Sequence, residues 1–221
     1  IELLPNPTDL SAFDRCDGTG LRAEMGAKPE DTVIGFVGRL SSEKNLPMVL
    51  EAAAMVLGRV PNCRLLIVGD GPETRDLRER VRALGILDRS YFAGRKPHEQ
   101  IADCQDAIDI FATASMSETQ PLAYTEAMAV GTPVVAVRAP GAADMIQDGH
   151  NGLLTDAAGG AEALARAIER LARDPRRRAE LGDNAREWVR RYDVRSATQR
   201  LIALYEQAIE QHPRAGALSG R

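Results

Sequence analysis

Between residues 32 and 154 the chain alternates short apolar, β-branched runs with longer segments of helical composition, and that alternation admits few folds. The runs are 33–37, 65–68, 91–93, 108–112, 134–137 and 153–154. Helical segments fall between them at 46–59, 73–84, 98–104, 122–130 and 143–147, several of them stopped by Gly or Pro. Strands that repeatedly feed helices predict an α/β fold, a doubly wound parallel sheet with helices on both faces. After Gly160 the strand signals cease. Three amphipathic helices are expected over 161–173, 175–191 and 195–211, packed on the sheet or on a neighbouring domain, with Trp188 as a packing anchor.

The remainder divides simply. Residues 1–30, rich in Pro, Gly and Asp, read as a linker or surface loop; 31–160 hold the sheet; 161–212 are helical; 213–221 have neither periodicity nor bulk and are expected to be disordered. The opening IELLPNPTDL, an apolar fragment running straight into a turn, reads as cut from something longer, so a domain is expected. At 221 residues and 44% hydrophobic composition the chain can bury a real core.

Net charge is −4, and the 28 Lys and Arg form no basic block, which argues against nucleic-acid binding. Three cysteines, Cys16, Cys63 and Cys104, make no C-x-x-C pair and are odd in number. That argues against both a disulfide framework and a zinc site and fits a reducing compartment. No apolar run approaches the roughly 18 residues of a membrane helix. The expected location is the cytoplasm, against a membrane at most at its surface. His98, His150 and His212 share no metal-ligand spacing, and no metal site is expected.

In an open parallel sheet ligands bind outside the carboxyl ends of the strands, so chemistry is sought just after each run. After the first comes Gly38-Arg39-Leu40-Ser41-Ser42-Glu43-Lys44-Asn45. Gly38 admits a close ligand, and Arg39 and Lys44 are either a diphosphate clamp or two solvated loop cations. After the second, Gly69-Asp70-Gly71-Pro72 lacks the third glycine of a dinucleotide fingerprint, Thr74 standing there. It reads as a tight turn with Pro72 opening a helix. After the third, Arg95 and Lys96 either flank a base or lie on a surface loop.

After the fourth run comes Ser117-Glu118-Thr119-Gln120-Pro121-Leu122, then a helix whose free N–H groups near Leu122 form a natural phosphate site. Glu118 and Glu126, in the loop and one turn into the helix, either accept hydrogen bonds from sugar hydroxyls or are merely acids favoured near a helix N-terminus.

In order, G-R-L-x-x-E-K-N, V-G-D-G-P, F-x-G, A-x-D-I-F-x-x-x-S, S-E-x7-E-A-M-A-x-G-x-P-V-V-A and D-G-x-N-G-L-L closely resemble the carboxyl-terminal half of family 4 (group 1) retaining glycosyltransferases of the GT-B type, over residues 4–205. PNPTDLSAFD looks like the segment that joins that family's two Rossmann-like domains. The resemblance implies a Rossmann-like donor-binding domain, half of a GT-B fold. It also implies metal-independent transfer of a hexosyl unit from a UDP- or GDP-sugar, with no other cofactor, to an acceptor held by a separate amino-terminal domain. This fragment would then be weakly active or inactive alone.

Carried over by position, Gly38, Arg39, Lys44 and the amides near Leu122 would hold the diphosphate. Glu126 would bind the ribose, Lys96 and Arg95 would meet the base, and Glu118 would face the sugar and reaction centre. The chain departs from the family where E-G-F-G becomes Glu118-Thr119-Gln120-Pro121, losing both glycines and one N–H donor. Asp144 replaces a usual Glu. This variant resembles branches acting on lipid acceptors, such as diacylglycerol glucosyltransferases. Other readings of the same residues are a GT-B sugar-nucleotide epimerase and a non-catalytic nucleotide-sugar-binding module.

Overall fold

The computed structural model describes residues 6–211. Six strands form one parallel sheet: β1 (Thr32–Val37), β2 (Cys63–Val68), β3 (Ser90–Gly94), β4 (Ile110–Thr113), β5 (Val134–Val137) and β6 (Gly152–Thr155), in the order β3-β2-β1-β4-β5-β6. Every pairing is parallel. All residues of β1, β4 and β5 are buried, which is why these strands read as continuous apolar runs and not as alternating ones. At one edge β3 is only half-buried along its length.

The helices are α1 (Thr19–Glu24), α2 (Leu46–Arg59), α3 (Thr74–Ala83), α4 (Ile101–Asp106), α5 (Leu122–Ala129), α6 (Pro140–Met145), α7 (Gly160–Arg173), α8 (Pro175–Val189) and α9 (Val194–Gln211). On α2, Leu46, Val49, Leu50, Ala53, Val56 and Leu57 recur at helical spacing and are buried. Each such Leu or Val contributes about 1.5–3 kcal/mol of transfer free energy. The same logic buries Leu164, Ala165, Ile168 and Leu171 of α7, which packs on α2 and on β4, β5 and β6. In turn, α8 lies against α5, α7 and β6, with Asp174 capping its first turn through Arg177 N (2.9 Å).

Three boundaries differ from the sequence expectation. The stretch read as a linker carries a 3₁₀ turn at Leu10–Phe13 and the helix α1, and it buries Phe13, Leu21 and Met25. Arg22 fastens it to the sheet, donating to Ala107 O (3.1 Å), Asp109 Oδ2 (2.9 Å) and Asp31 O (2.6 Å). A six-residue helix is too short to display a period, so nothing in the pattern announces it. Helix α6 begins at Pro140, three residues early, because the extended Ala139 is its N-cap and proline suits the first helical turn. Pro72 does not open a helix: α3 begins at Thr74, whose hydroxyl closes a turn on Asp70 Oδ1 (2.6 Å) and Gly71 O (2.8 Å).

All three expected carboxyl-terminal helices form, but only α7 and α8 pack on the sheet. Helix α9 has no buried residue, and Leu201, Ile202, Tyr205 and Ile209 stand exposed on it. Trp188 is half-buried against the core, with the Arg191 guanidinium 3.4 Å from its ring centroid. The tail at 213–221, read as disordered, lies outside the described residues.

Candidate functional site

A cleft of ≈ 610 Å³ opens at the carboxyl ends of β1, β2 and β3, where a doubly wound sheet is expected to receive its ligand. Gly38 and Arg39 line it as β1 ends, Gly69, Asp70 and Gly71 as β2 ends, and Arg95 and Lys96 after β3. Ala123 and Glu126 close it from α5, and Ile101 from α4. The fold thus brings together five residues singled out from sequence: Gly38, Arg39, Arg95, Lys96 and Glu126.

The other three lie elsewhere. Lys44, in the 3₁₀ turn Ser42–Lys44, pairs with Glu118 of the loop before α5. Their side chains are only 23% and 19% exposed, so solvent screens the pair incompletely. Leu122 is the first residue of α5, and its side chain is 48% exposed and does not line the cleft. The N-terminus of α5 has no side-chain cap, and Pro121, in extended conformation, brings no N–H of its own.

Two carboxylates inside the cleft are tuned in opposite directions. Burial pushes the Glu126 carboxyl above its ordinary value, partly offset by Gln105, whose Nε2 donates to Glu126 Oε2 at 3.4 Å, and by His98. Asp70 is held below its ordinary value by the Thr74 hydroxyl and the Gly71 amide. Lys96 reaches toward Glu24 of α1 at 3.7 Å, a long contact that leaves its ammonium available. Among the described residues no group of His, Cys, Asp and Glu is arranged to hold a metal ion.

Sequence reasoning missed the part played by Gly69 and Gly71. Both take the β2 loop hard against the β1 loop: a Cβ on Gly69 would lie 1.8 Å from Gly38 O, and one on Gly71 2.3 Å from Leu40 O. Backbone therefore forms this wall of the cleft, and the doublet Val68-Gly69 is the signal that could have revealed it. Gln105, fully buried beside Glu126, carried no signal; a single polar residue in a helical segment looks like any surface position.

Known proteins give this geometry a context. The family model described as glycosyl transferases group 1 matches residues 19–188. D-inositol 3-phosphate glycosyltransferase of Corynebacterium kroppenstedtii is 36% identical over 208 residues, covering 90% of this chain and 46% of that protein. The chain spans about half the length of the curated relatives it matches. Among solved structures, Anabaena HepE in complex with UDP and glucose superposes with a TM-score of 0.83 at 27% identity, covering 93% of this chain and 57% of that one. Sucrose-phosphate synthase of Thermosynechococcus elongatus gives 0.81 at 29% identity, covering 95% and 53%. The epimerase reading gains no support from any of these.

Proposed function

The chain belongs to the group 1 glycosyl transferases, and from that premise we propose that it is the donor-binding half of a retaining hexosyltransferase that uses a nucleoside-diphosphate sugar, UDP-linked in the first instance. The observation that carries this is a cleft at the strand ends lined by Arg39, Arg95 and Lys96 together with the half-buried Glu126 of α5. In this reading Arg39, the Gly38 backbone and the first amides of α5 near Leu122 bind the diphosphate, joined by Lys44 once it leaves Glu118. Glu126 accepts hydrogen bonds from the ribose, and Arg95 and Lys96 lie along the base. Glu118 faces the sugar hydroxyls.

As the anomeric C–O bond breaks, its electron pair passes to the diphosphate. In this reading Arg39, Lys44 released from Glu118 and the positive end of α5 stabilise that charge. The acceptor, a glycan or lipid hydroxyl, is brought by a separate amino-terminal domain of the full-length protein. The protein works in the cytoplasm, at most peripherally against the inner membrane surface; no described helix is long and apolar enough to cross a membrane.

Calorimetric titration of UDP, GDP and ADP into the chain tests this directly. UDP is expected to bind with a Kd between about 1 µM and 1 mM, the other two more weakly. Absence of heat with all three overturns the reading.

Glu126 makes a separate prediction. A carboxyl raised above its ordinary 4.5 takes up its proton as pH falls from neutrality, earlier than an exposed glutamate would. The anion that receives the ribose hydroxyls is then progressively lost on acidification. Glu126→Gln should weaken UDP about tenfold near neutral pH, as expected for losing a charged acceptor. The ratio of variant to wild-type Kd should shrink toward one as the pH is lowered and the wild-type carboxyl takes up its proton. Titration of UDP itself is common to both proteins and cancels, so a ratio constant with pH would remove Glu126 from the ribose.

A further inference from the structure

Three contacts hold the loop at 117–121. The Glu118 carboxylate pairs with Lys44. Its carbonyl accepts the Gly141 N–H at 3.1 Å. Two residues on, the Gln120 side chain meets the backbone of Asn6 twice: Nε2 donates to Asn6 O at 2.8 Å, and Oε1 accepts Asn6 N–H at 2.7 Å. A primary amide suits this task because one planar group offers a donor and an acceptor side by side, matching the N–H and C=O of a single residue. The other end of the tether is anchored too. Thr8 N donates to Tyr192 O (2.8 Å), and Val194 N donates to Thr8 O (3.0 Å). Between Gln120 and α5, the proline ring of Pro121 fixes φ, here −74°, so the tethered loop has little freedom to swing about the helix.

We infer that Gln120 is a positioning residue: by tying its loop to the backbone of Asn6 it holds Glu118 on Lys44 while the cleft is empty. This rests on the reading in which Lys44 neutralises the donor diphosphate. The diphosphate then gains Lys44 only by displacing Glu118, and the Gln120 tether sets how readily that exchange occurs.

The test separates the inference from the reading beneath it. Glu118→Gln should raise UDP affinity about fivefold, because a neutral amide releases Lys44 to the nucleotide. Gln120→Ala should raise it about threefold, and the double variant no further than Glu118→Gln alone, since both act on one ion pair. An unchanged UDP affinity in Gln120→Ala, or gains that multiply in the double variant, would overturn the inference. A readout without nucleotide is hydrogen exchange of the Gly141 amide, whose acceptor is the Glu118 carbonyl. It should accelerate about tenfold in Gln120→Ala as the loop loosens. Unchanged exchange sinks the tether even if the wild-type chain binds no UDP, whereas failure of UDP binding alone sinks only the reading of the cleft.

Discussion

Replacing Arg39 and Lys44 together by alanine is expected to weaken UDP binding by about 100-fold, roughly 2 kcal/mol from the charge-assisted contacts of Arg39 and less than about 1 kcal/mol from Lys44. The two residues do not contribute alike. Arg39 lines the cleft, is exposed, and offers a planar fork that matches a phosphate in two places. Lys44 is already engaged with Glu118, so its contribution to the nucleotide is a difference between two partners. Arg39→Ala should therefore be the costlier single change. Salt gives an independent check, because neutralised phosphate charge is screened: wild-type affinity for UDP should fall with ionic strength, and that of the double variant should stay nearly flat. Uridine, which has no phosphate, should bind both proteins equally. A double variant that holds UDP within threefold of wild type would take the diphosphate away from these residues.

The second large effect is on stability. Gly69 has φ +134°, a conformation side chains rarely adopt, and a Cβ there would sit 1.8 Å from the Gly38 carbonyl oxygen. Neither atom can retreat, since both are backbone at the exits of paired, buried strands. Gly69→Ala should cost about 4 kcal/mol, at the upper end for point substitutions. For a domain of this size that lowers Tm by about 10 °C. Gly26→Ala is the control. Gly26 also has positive φ, +64°, but open space around it, so only the backbone term applies. That term is about 1 kcal/mol. Equal losses in the two variants would mean that the Gly38 contact carries no weight.

The sheet was legible because burial on both faces forces its strands to be continuously apolar, and all six runs became strands in the structure. The long helices were legible for the corresponding reason, a one-sided apolar stripe over ten residues or more. Short elements escaped: α1 has six residues, and its hold on the sheet comes from one arginine reaching three oxygens. At the site, Gly38, Arg39, Arg95, Lys96 and Glu126, singled out by reading outward from the strand ends, line one cleft. The strand-end rule could not foresee that Lys44 and Glu118, 74 positions apart, would be each other's partners, because an ion pair between loops depends on register that no local pattern encodes. Nor could it see that glycines at 69 and 71 are required by the neighbouring backbone and not by a ligand.

The strand order has a consequence for how the site comes into being. On one side of the sheet β1, β2 and β3 pair in succession along the chain, and on the other β4, β5 and β6 do the same. Within the sheet the two halves meet where β1 joins β4, at Ile34 with Ile110 and Gly35 with Phe111, and beside it α2 packs on α7. Each half pairs strands that are neighbours in sequence, whereas that seam joins two strands with two others between them in the chain, a non-local contact of the kind that slows folding. Arg39, Arg95 and Lys96 belong to the first half and Glu126 to the second. A ligand that touched both would require the two halves to be joined, and would stabilise the native protein by linkage.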